Sequence, residues 1–164
     1  LGKMPTLEIP DPGGLVQSQV VQSDAVRLIL NGSQSPHTQH SQFLNEFFGS
    51  GVQHLAFSSD DIFASVDYCK QHGVEILPIP ENYYDDIEAR FGLEPELLDR
   101  LRARNILYDR DDEGEYYQAY TRTFANRFFF ELVERRAYRG FGAANAPIRL
   151  ASQTRMNRRS EAAK

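Results

Sequence analysis

The chain has 164 residues, 41% hydrophobic and 25% charged, which is ordinary for a globular protein with a core of its own. A net charge of −5 argues against a nucleic-acid-binding surface on the fold as a whole. The sequence contains no long apolar run and no signal peptide, and its single cysteine, Cys69, excludes an internal disulfide. These features predict a cytoplasmic protein with no membrane segment.

In chain order, the first third predicts an irregular lead-in, a β-hairpin and a short helix. Residues 5–14 are rich in proline and glycine, which predicts irregular structure. Alternating apolar residues predict a hairpin of residues 15–21 and 26–30, and an apolar stripe predicts a helix over residues 39–48.

The remaining elements alternate between strands and helices. We expect strands at residues 51–57, 74–77, 106–110, 115–121 and 128–134, and helices at residues 61–72, 83–91, 95–104 and 143–153. The acidic turn from Asp111 to Gly114 lacks the spacing of a twelve-residue calcium loop, so we interpret it as a hairpin turn.

Two apolar strands each carry one residue that could bind a metal. His54 stands in the strand of residues 51–57, and Glu131 interrupts the run of large apolar residues in the strand of residues 128–134. Taken alone, a histidine in a strand is more often structural, and Glu131 could face solvent. His37 and His40 also have metal-like spacing, but a solvated loop explains them better.

Both ends of the chain have unusual features. The opening residues lack the character of a domain start, which favours a fragment of a longer protein. Residues 149–164 are basic, and we expect a disordered tail, with a binding arm as the alternative.

Several spaced motifs occur in the order found in the C-terminal domain of 4-hydroxyphenylpyruvate dioxygenases, which the chain resembles over roughly residues 31–145. The motifs are Gly51-Val52-Gln53-His54-Leu55-Ala56-Phe57, Asp60-Asp61-Ile62, Tyr83-Tyr84, Ile106-Leu107-Tyr108-Asp109, Gln118, Phe129-Phe130-Glu131 and Gly140-Phe141-Gly142-Ala143 with Asn145. With Tyr83-Tyr84-Asp85-Asp86 and Phe128-Phe129-Phe130-Glu131, the chain looks most like the dioxygenase-like C-terminal domain of bacterial 3-dehydroshikimate dehydratase fusion proteins.

The resemblance implies an α+β vicinal-oxygen-chelate fold (glyoxalase/dioxygenase-like), in which βαβββ modules curl into an open half-barrel. On this interpretation residues 1–50 are the remainder of a first, incomplete module and residues 51–142 are the second module. Residues 143–164 would form the C-terminal helix and basic tail.

The resemblance also implies the site. His54 and Glu131 match two of the three ligands that hold Fe(II) in a facial triad, and Mg, Mn or Co are alternative metals. The positions that match pocket residues are Gln118, Gln39, Asn31, Tyr120 and Phe141.

The chain departs from the family pattern in two ways. The family's first iron histidine lies on a strand that has no counterpart here, so the third ligand is absent from this chain. In the closing helix the family has an aromatic residue where this chain has Ala146, which predicts a reshaped pocket.

Three functions remain open at this point. The chain could be a dioxygenase domain that oxidises an aromatic or cyclic α-keto or hydroxy acid in aromatic catabolism. It could instead be an accessory or regulatory domain of a bifunctional 3-dehydroshikimate dehydratase without turnover of its own, or a relic that mediates assembly only. In each case the resemblance implies a preceding N-terminal domain. The missing strand would also leave an unpaired sheet edge, which suggests a homo-oligomer.

Overall fold

The computed structural model describes residues 2–124, 127–140 and 142–162, with side chains described up to Met156. The chain divides into two compact units, residues 1–51 and residues 52–164. Each unit contains a four-stranded sheet. Among the described residues, no helix has both the length and the apolar character needed to cross a membrane.

The first unit is a sheet with one helix. Its elements are β1 (Gly2–Lys3), β2 (Leu7–Asp11), β3 (Gly14–Gln22), β4 (Arg27–Gly32) and α1 (Gln39–Glu46). The long strand β3 is central, and β1, β2 and β4 all pair with it in antiparallel fashion. Thr38 caps α1 by accepting a hydrogen bond from the Ser41 backbone N–H through its side chain.

The predicted irregular lead-in is wrong, because residues 7–11 form strand β2. Pro10 cannot donate a ladder hydrogen bond, but β2 pairs on one side only, with β3, and a proline is tolerated on such an edge. The buried side chains of Ile9 and Asp11 alternate with exposed ones, which is the period of a half-buried strand.

The second unit contains a mixed sheet with helices. Its strands are β5 (His54–Ser58), β6 (Leu107–Arg110), β7 (Glu115–Tyr120) and β8 (Phe129–Arg136), in the order β5-β8-β7-β6. Strand β5 runs parallel to β8, and the other pairs are antiparallel. The helices are α2 (Ile62–Gln71), α3 (Glu81–Phe91), α4 (Pro95–Arg104) and α5 (Ala146–Ala162), with a 3-10 turn (Ala143–Asn145) before α5.

Local sequence signals explain where these helices begin and end. Asp61 caps α2 by accepting from the Ala64 backbone N–H, and Pro95 occupies the first turn of α4. Gly92 closes α3 in the left-handed conformation, with φ of 59°. The hairpin turn between β6 and β7 is also as predicted, since the Asp111 carboxylate accepts from the Gly114 backbone N–H.

Two further predictions about secondary structure are wrong. The strand expected at residues 74–77 reduces to a single bridge between Ile76 and Thr121, because Pro78 and Pro80 have no N–H to extend a ladder. The tail expected to be disordered is helical as far as Ala162, since α5 continues through it from Ala146.

The register of the second sheet shows which of its residues lie on the same face. Tyr120 lies opposite Glu131, and Tyr117 lies opposite Glu134. Residues of odd and even position on β8 point to opposite sides, so Glu131 and Glu134 project from different faces. Helix α2 covers the Glu134 face, where its Phe63 ring packs against Tyr117 at 6.0 Å between centroids.

Glu134 attaches α2 to this sheet. Its side chain is buried at 4% exposure. One carboxylate oxygen accepts from the Ile62 backbone N–H at 2.9 Å, which satisfies a donor in the first turn of α2. The other accepts from Arg136 Nε at 2.7 Å.

We expect Glu134→Ala to lower the free energy of unfolding by about 1–3 kcal/mol, because it leaves the buried Ile62 N–H without an acceptor. Glu134→Gln retains one acceptor oxygen and should cost less. Urea titration followed by circular dichroism measures both effects, with the exposed Glu88→Ala on α3 as the matched control. Equal stability of Glu134→Ala and Glu88→Ala would contradict this role.

Candidate functional site

His54 and Glu131 lie side by side on the sheet face opposite α2. They come from the neighbouring parallel strands β5 and β8, whose register places Ala56 beside Glu131 and His54 beside Phe129. His54 Nε2 is 3.4 Å from Glu131 Oε2, and their side chains are 22% and 7% exposed, respectively. The carboxylate is therefore buried, whereas the imidazole is reachable from solvent.

The Gln118 amide on β7 connects strand β8 to the 3-10 turn before α5. Its Nε2 donates to Glu131 Oε1 at 2.9 Å and to the Tyr120 hydroxyl at 2.7 Å. Its Oε1 accepts from Asn145 Nδ2 at 2.9 Å. Gln118 is only 2% exposed, so these protein partners replace the hydrogen bonds that water would provide.

The hydrogen-bond network continues from Asn145 to helix α3 and strand β6. The Tyr83 hydroxyl lies 3.1 Å from Asn145 Oδ1 and 2.9 Å from the Tyr108 carbonyl, and it accepts from the Tyr108 backbone N–H at 2.7 Å. Tyr83 and Asn145 are both buried. Helix α3, strand β6 and the 3-10 turn thus hold the far end of the network that reaches Glu131.

The network determines the charge of Glu131. Burial acts to raise its pKa, but the nearby imidazole of His54 and hydrogen bonds from Gln118 and Tyr120 hold that pKa below its usual value. Burial and the nearby Glu131 charge raise the pKa of Tyr120 well above its usual value. The site therefore contains a carboxylate and a neutral phenol.

The imidazole of His54 is held by stacking. Its ring lies 4.7 Å from the Phe129 ring at an interplanar angle of 8°. Its Nδ1 is buried and has no hydrogen-bond partner among the described residues. Nε2 is thus directed at Glu131 by packing on Phe129 and not by a second hydrogen bond.

The donor pair fits a divalent metal ion. The Nε2–Oε2 distance of 3.4 Å is longer than a good hydrogen bond. Two ligand atoms, each about 2.1 Å from one ion at an angle of 90–110°, are separated by about 3.0–3.4 Å. Within the parts of the chain that the structure describes, no group of three or more His, Cys, Asp or Glu side chains comes together, so a metal held here would have two ligands from this pair.

Of the predicted site residues, the structure brings together His54, Glu131, Gln118 and Tyr120. Asn31 and Gln39 belong to the first unit, where the Asn31 side chain accepts from the Ser18 hydroxyl at 2.6 Å and the Gln39 backbone N–H donates to Asp11. Phe141 lies outside the described residues. The roles of all these residues stay predictions.

Asn145 and Gly142 were not among the predicted site residues, although both belong to motifs quoted for the resemblance. Gly142 has φ of +69°, and a Cβ placed there would lie 2.4 Å from Gln118 Oε1. The chain can pass over the Gln118 amide at this position because the residue has no side chain. The Gly-x-Gly spacing before Asn145 is the sequence signal for this close approach.

The family model described as "Glyoxalase/Bleomycin resistance protein/Dioxygenase superfamily" matches residues 4–106. The chain belongs to this superfamily. The expected α+β fold with open sheets is thereby confirmed, and so is the resemblance that predicted it.

Similar proteins include two enzymes of Pseudomonas aeruginosa. The chain is 48% identical to a 3-dehydroshikimate dehydratase over 92% of its own length, which is 24% of that protein. It is 34% identical to a 4-hydroxyphenylpyruvate dioxygenase over 73% of its length, which is 34% of that protein. The chain thus spans about a quarter to a third of these relatives.

Two solved structures of related proteins are also similar to this chain. A xylose isomerase-like TIM barrel/4-hydroxyphenylpyruvate dioxygenase fusion protein superposes with a TM-score of 0.76 and 44% identity, covering 93% of this chain and 25% of that one. A mutant of 4-hydroxymandelate synthase from Streptomyces coelicolor superposes with a TM-score of 0.80 and 30% identity, covering 94% and 46%.

We expect Gly142→Ala to destabilise the protein by about 2–4 kcal/mol, because it combines a strained positive φ with a clash against the Gln118 amide. Gly73→Ala is the matched control, since Gly73 also has a positive φ but open space around its Cα. The Gly73→Ala substitution should lower the free energy of unfolding by only about 1–2 kcal/mol. Urea unfolding of both variants measures the difference, and equal losses would show that Gly142 does not constrain Gln118.

Proposed function

We propose that residues 52–164 form a metal-binding domain of the dioxygenase type, with His54 and Glu131 as two of its ligands. The observation that carries this proposal is the 3.4 Å approach of His54 Nε2 to Glu131 Oε2 across two neighbouring strands. An ionised carboxylate and an imidazole on one face are the donors of the two-histidine, one-carboxylate iron sites. The similarity to 4-hydroxyphenylpyruvate dioxygenases supports Fe(II), with Mg, Mn or Co as alternatives.

A bound Fe(II) would supply the oxygen-activating centre for oxidation of an aromatic α-keto acid. The residues of this chain would hold that centre in place. Glu131 contributes the charge, Phe129 supports the imidazole of His54, and the uncharged Tyr120 forms an aromatic wall.

Gln118 has a positioning role in this proposal. Both hydrogens of its amide nitrogen are used, one on Glu131 and one on Tyr120. A substrate could gain a hydrogen bond from this nitrogen only by displacing one of those partners. Gln118 therefore acts through Glu131, whereas Asn31, Gln39 and Phe141 remain proposed pocket residues on the strength of the resemblance.

A second function is favoured by the degree of similarity. Identity to the 3-dehydroshikimate dehydratase is 48%, against 34% to the 4-hydroxyphenylpyruvate dioxygenase. The chain would then be the accessory, dioxygenase-like C-terminal domain of a bifunctional dehydratase, preceded by an N-terminal catalytic domain. The metal site serves both functions, and they differ in whether a keto acid is oxidised.

Removal of either proposed ligand should weaken metal binding more than about tenfold, since even the outer partners of metal ligands are worth about 10- to 100-fold in affinity. The variants are His54→Ala and Glu131→Gln, measured by calorimetric titration with Mn²⁺ or Co²⁺. His72→Ala is the control, because His72 is an exposed histidine of the same unit. Unchanged affinity in both ligand variants would rule out the site.

We expect the chain of 164 residues alone not to convert 4-hydroxyphenylpyruvate, since it supplies two ligands where the family uses three. Oxygen uptake and homogentisate formation with added Fe(II) and ascorbate measure this. Robust turnover would show that a third ligand comes from within the chain or from a second copy, and would favour the dioxygenase over the accessory function.

A further inference from the structure

The buried hydrogen bonds that end at Glu131 all run in one direction. Tyr83 Oη accepts from the Tyr108 backbone N–H at 2.7 Å, and its own hydrogen is within reach of Asn145 Oδ1, at 3.1 Å between the oxygens. Asn145 Nδ2 donates to Gln118 Oε1 at 2.9 Å, and Gln118 Nε2 donates to Glu131 Oε1 at 2.9 Å. Each of the two amides therefore turns its oxygen toward Tyr83 and its nitrogen toward Glu131.

The amides of Asn145 and Gln118 are coupled, because neither can turn alone. A primary amide has an acceptor oxygen on one side and a donor nitrogen on the other, so turning it reverses its bonds on both sides. If Asn145 turned, two carbonyl oxygens would face each other at Gln118. The two residues are 3% and 2% exposed, so solvent does not readily replace a lost partner. The orientation of the Asn145 amide therefore determines that of the Gln118 amide.

The Tyr83 hydroxyl favours the observed orientation of Asn145. Burial raises the pKa of the Tyr83 phenol well above its usual value, so the hydroxyl keeps its hydrogen at neutral pH. That hydrogen can be donated to Asn145 Oδ1 or to the Tyr108 carbonyl, whose oxygen is 2.9 Å away. The adjacent Tyr84 differs in this respect, since its hydroxyl is buried without a hydrogen-bond partner among the described residues.

We propose that Asn145 is a positioning residue for Glu131 and acts by fixing the orientation of the Gln118 amide. The inference rests on the proposed function, in which Glu131 is a metal ligand. With Asn145 Nδ2 on its oxygen, Gln118 has to offer its nitrogen to Glu131 Oε1. The other carboxylate oxygen, Oε2, is then the one that faces His54. On this proposal the site requires a donor at residue 145, and the volume of that side chain is not sufficient.

The variants Asn145→Asp and Asn145→Leu separate the donor from the volume of the side chain. Both replacements are close to asparagine in size, and neither can donate to Gln118 at about pH 8, where an aspartate is ionised. The carboxylate is also a new acceptor, so it should turn the Gln118 amide and set the amide oxygen against Glu131. We expect the Co²⁺ affinity of the full chain, measured by calorimetric titration, to fall at least about tenfold in Asn145→Asp and by a smaller factor in Asn145→Leu.

A measurement without metal reports on the Gln118 amide itself. Its side-chain NH₂ signals in ¹⁵N-glutamine-labelled protein are assigned by their loss in Gln118→Glu. In the wild type these hydrogens should show nuclear Overhauser contacts to Tyr120, whose hydroxyl lies 2.7 Å from the amide nitrogen. In Asn145→Asp the contacts should move to residue 145. A residue that only fills space would leave them unchanged.

Tyr83→Phe and Tyr84→Phe form a second, matched pair on helix α3. The first removes the hydrogen that is within reach of Asn145 Oδ1, whereas the second removes a buried hydroxyl that has no hydrogen-bond partner in the described part of the chain. We expect Co²⁺ to bind more weakly to Tyr83→Phe and with unchanged affinity to Tyr84→Phe. If Asn145→Asp does not fold, this comparison decides, and equal affinities would overturn the inference.

The two proposals fail in different ways. Where Co²⁺ binding depends on His54, equal affinities of Asn145→Asp and Asn145→Leu, or Gln118 contacts that stay on Tyr120 in Asn145→Asp, would overturn the positioning role and leave the metal site intact. A Gln118 amide that turns in Asn145→Asp, combined with Co²⁺ affinity unchanged in His54→Ala and Glu131→Gln, would reject the metal site while retaining the coupling of the two amides.

Discussion

The buried amide of Gln118 is the constraint on which the site depends. A primary amide removed from water must place both N–H groups and its oxygen on protein partners, and here those partners are Glu131, Tyr120 and Asn145. Because the nitrogen holds Glu131 Oε1, the other carboxylate oxygen is the one left to face His54. An amide turned by 180° would set its oxygen against a carboxylate and its nitrogen against a donor. The orientation of one side chain thus fixes the orientation of the proposed metal ligand.

The same network connects helix α3 to the site. Tyr83 on α3 bonds both to the Tyr108 backbone and to Asn145, so helix and 3-10 turn are held to β6 by one hydroxyl. The turn can approach Gln118 closely because Gly142 has no side chain. Distortion at either end would reach Glu131 through contiguous buried hydrogen bonds, which polarise one another in a low-dielectric interior. Tyr83 and Asn145 therefore help to hold Gln118, the hydrogen-bond donor to Glu131, in place.

The His54–Glu131 pair does not distinguish between the proposed functions. His54 and Glu131 could serve a dioxygenase or an accessory domain equally well, since both uses need an ionised carboxylate next to an imidazole. Helix α5 adds a guanidinium beside this pair, since Arg149 lies against the Phe129 and Tyr120 rings. The two proposals differ in whether a keto acid is oxidised, which the ligand pair by itself does not determine.

Much of the second unit was predictable from the sequence, because its helices carry local signals, of which Pro95 in the first turn of α4 is an example. The resemblance predicted that Gln118 and Tyr120 lie near His54 and Glu131, and the structure brings these four residues together. The sequence could not show that β2 is a strand, since Pro10 is tolerated only because the tertiary pairing leaves it on an edge. Nor could it show that residues 74–77 form a single bridge, because that pairing depends on the long-range partner Thr121 and not on local propensity. Asn145 and Arg149 acquire their places only when α5 folds back over the sheet. Local chemistry thus determined the elements and the candidate ligands. Tertiary packing decided which polar groups are buried away from water and therefore form hydrogen bonds with one another.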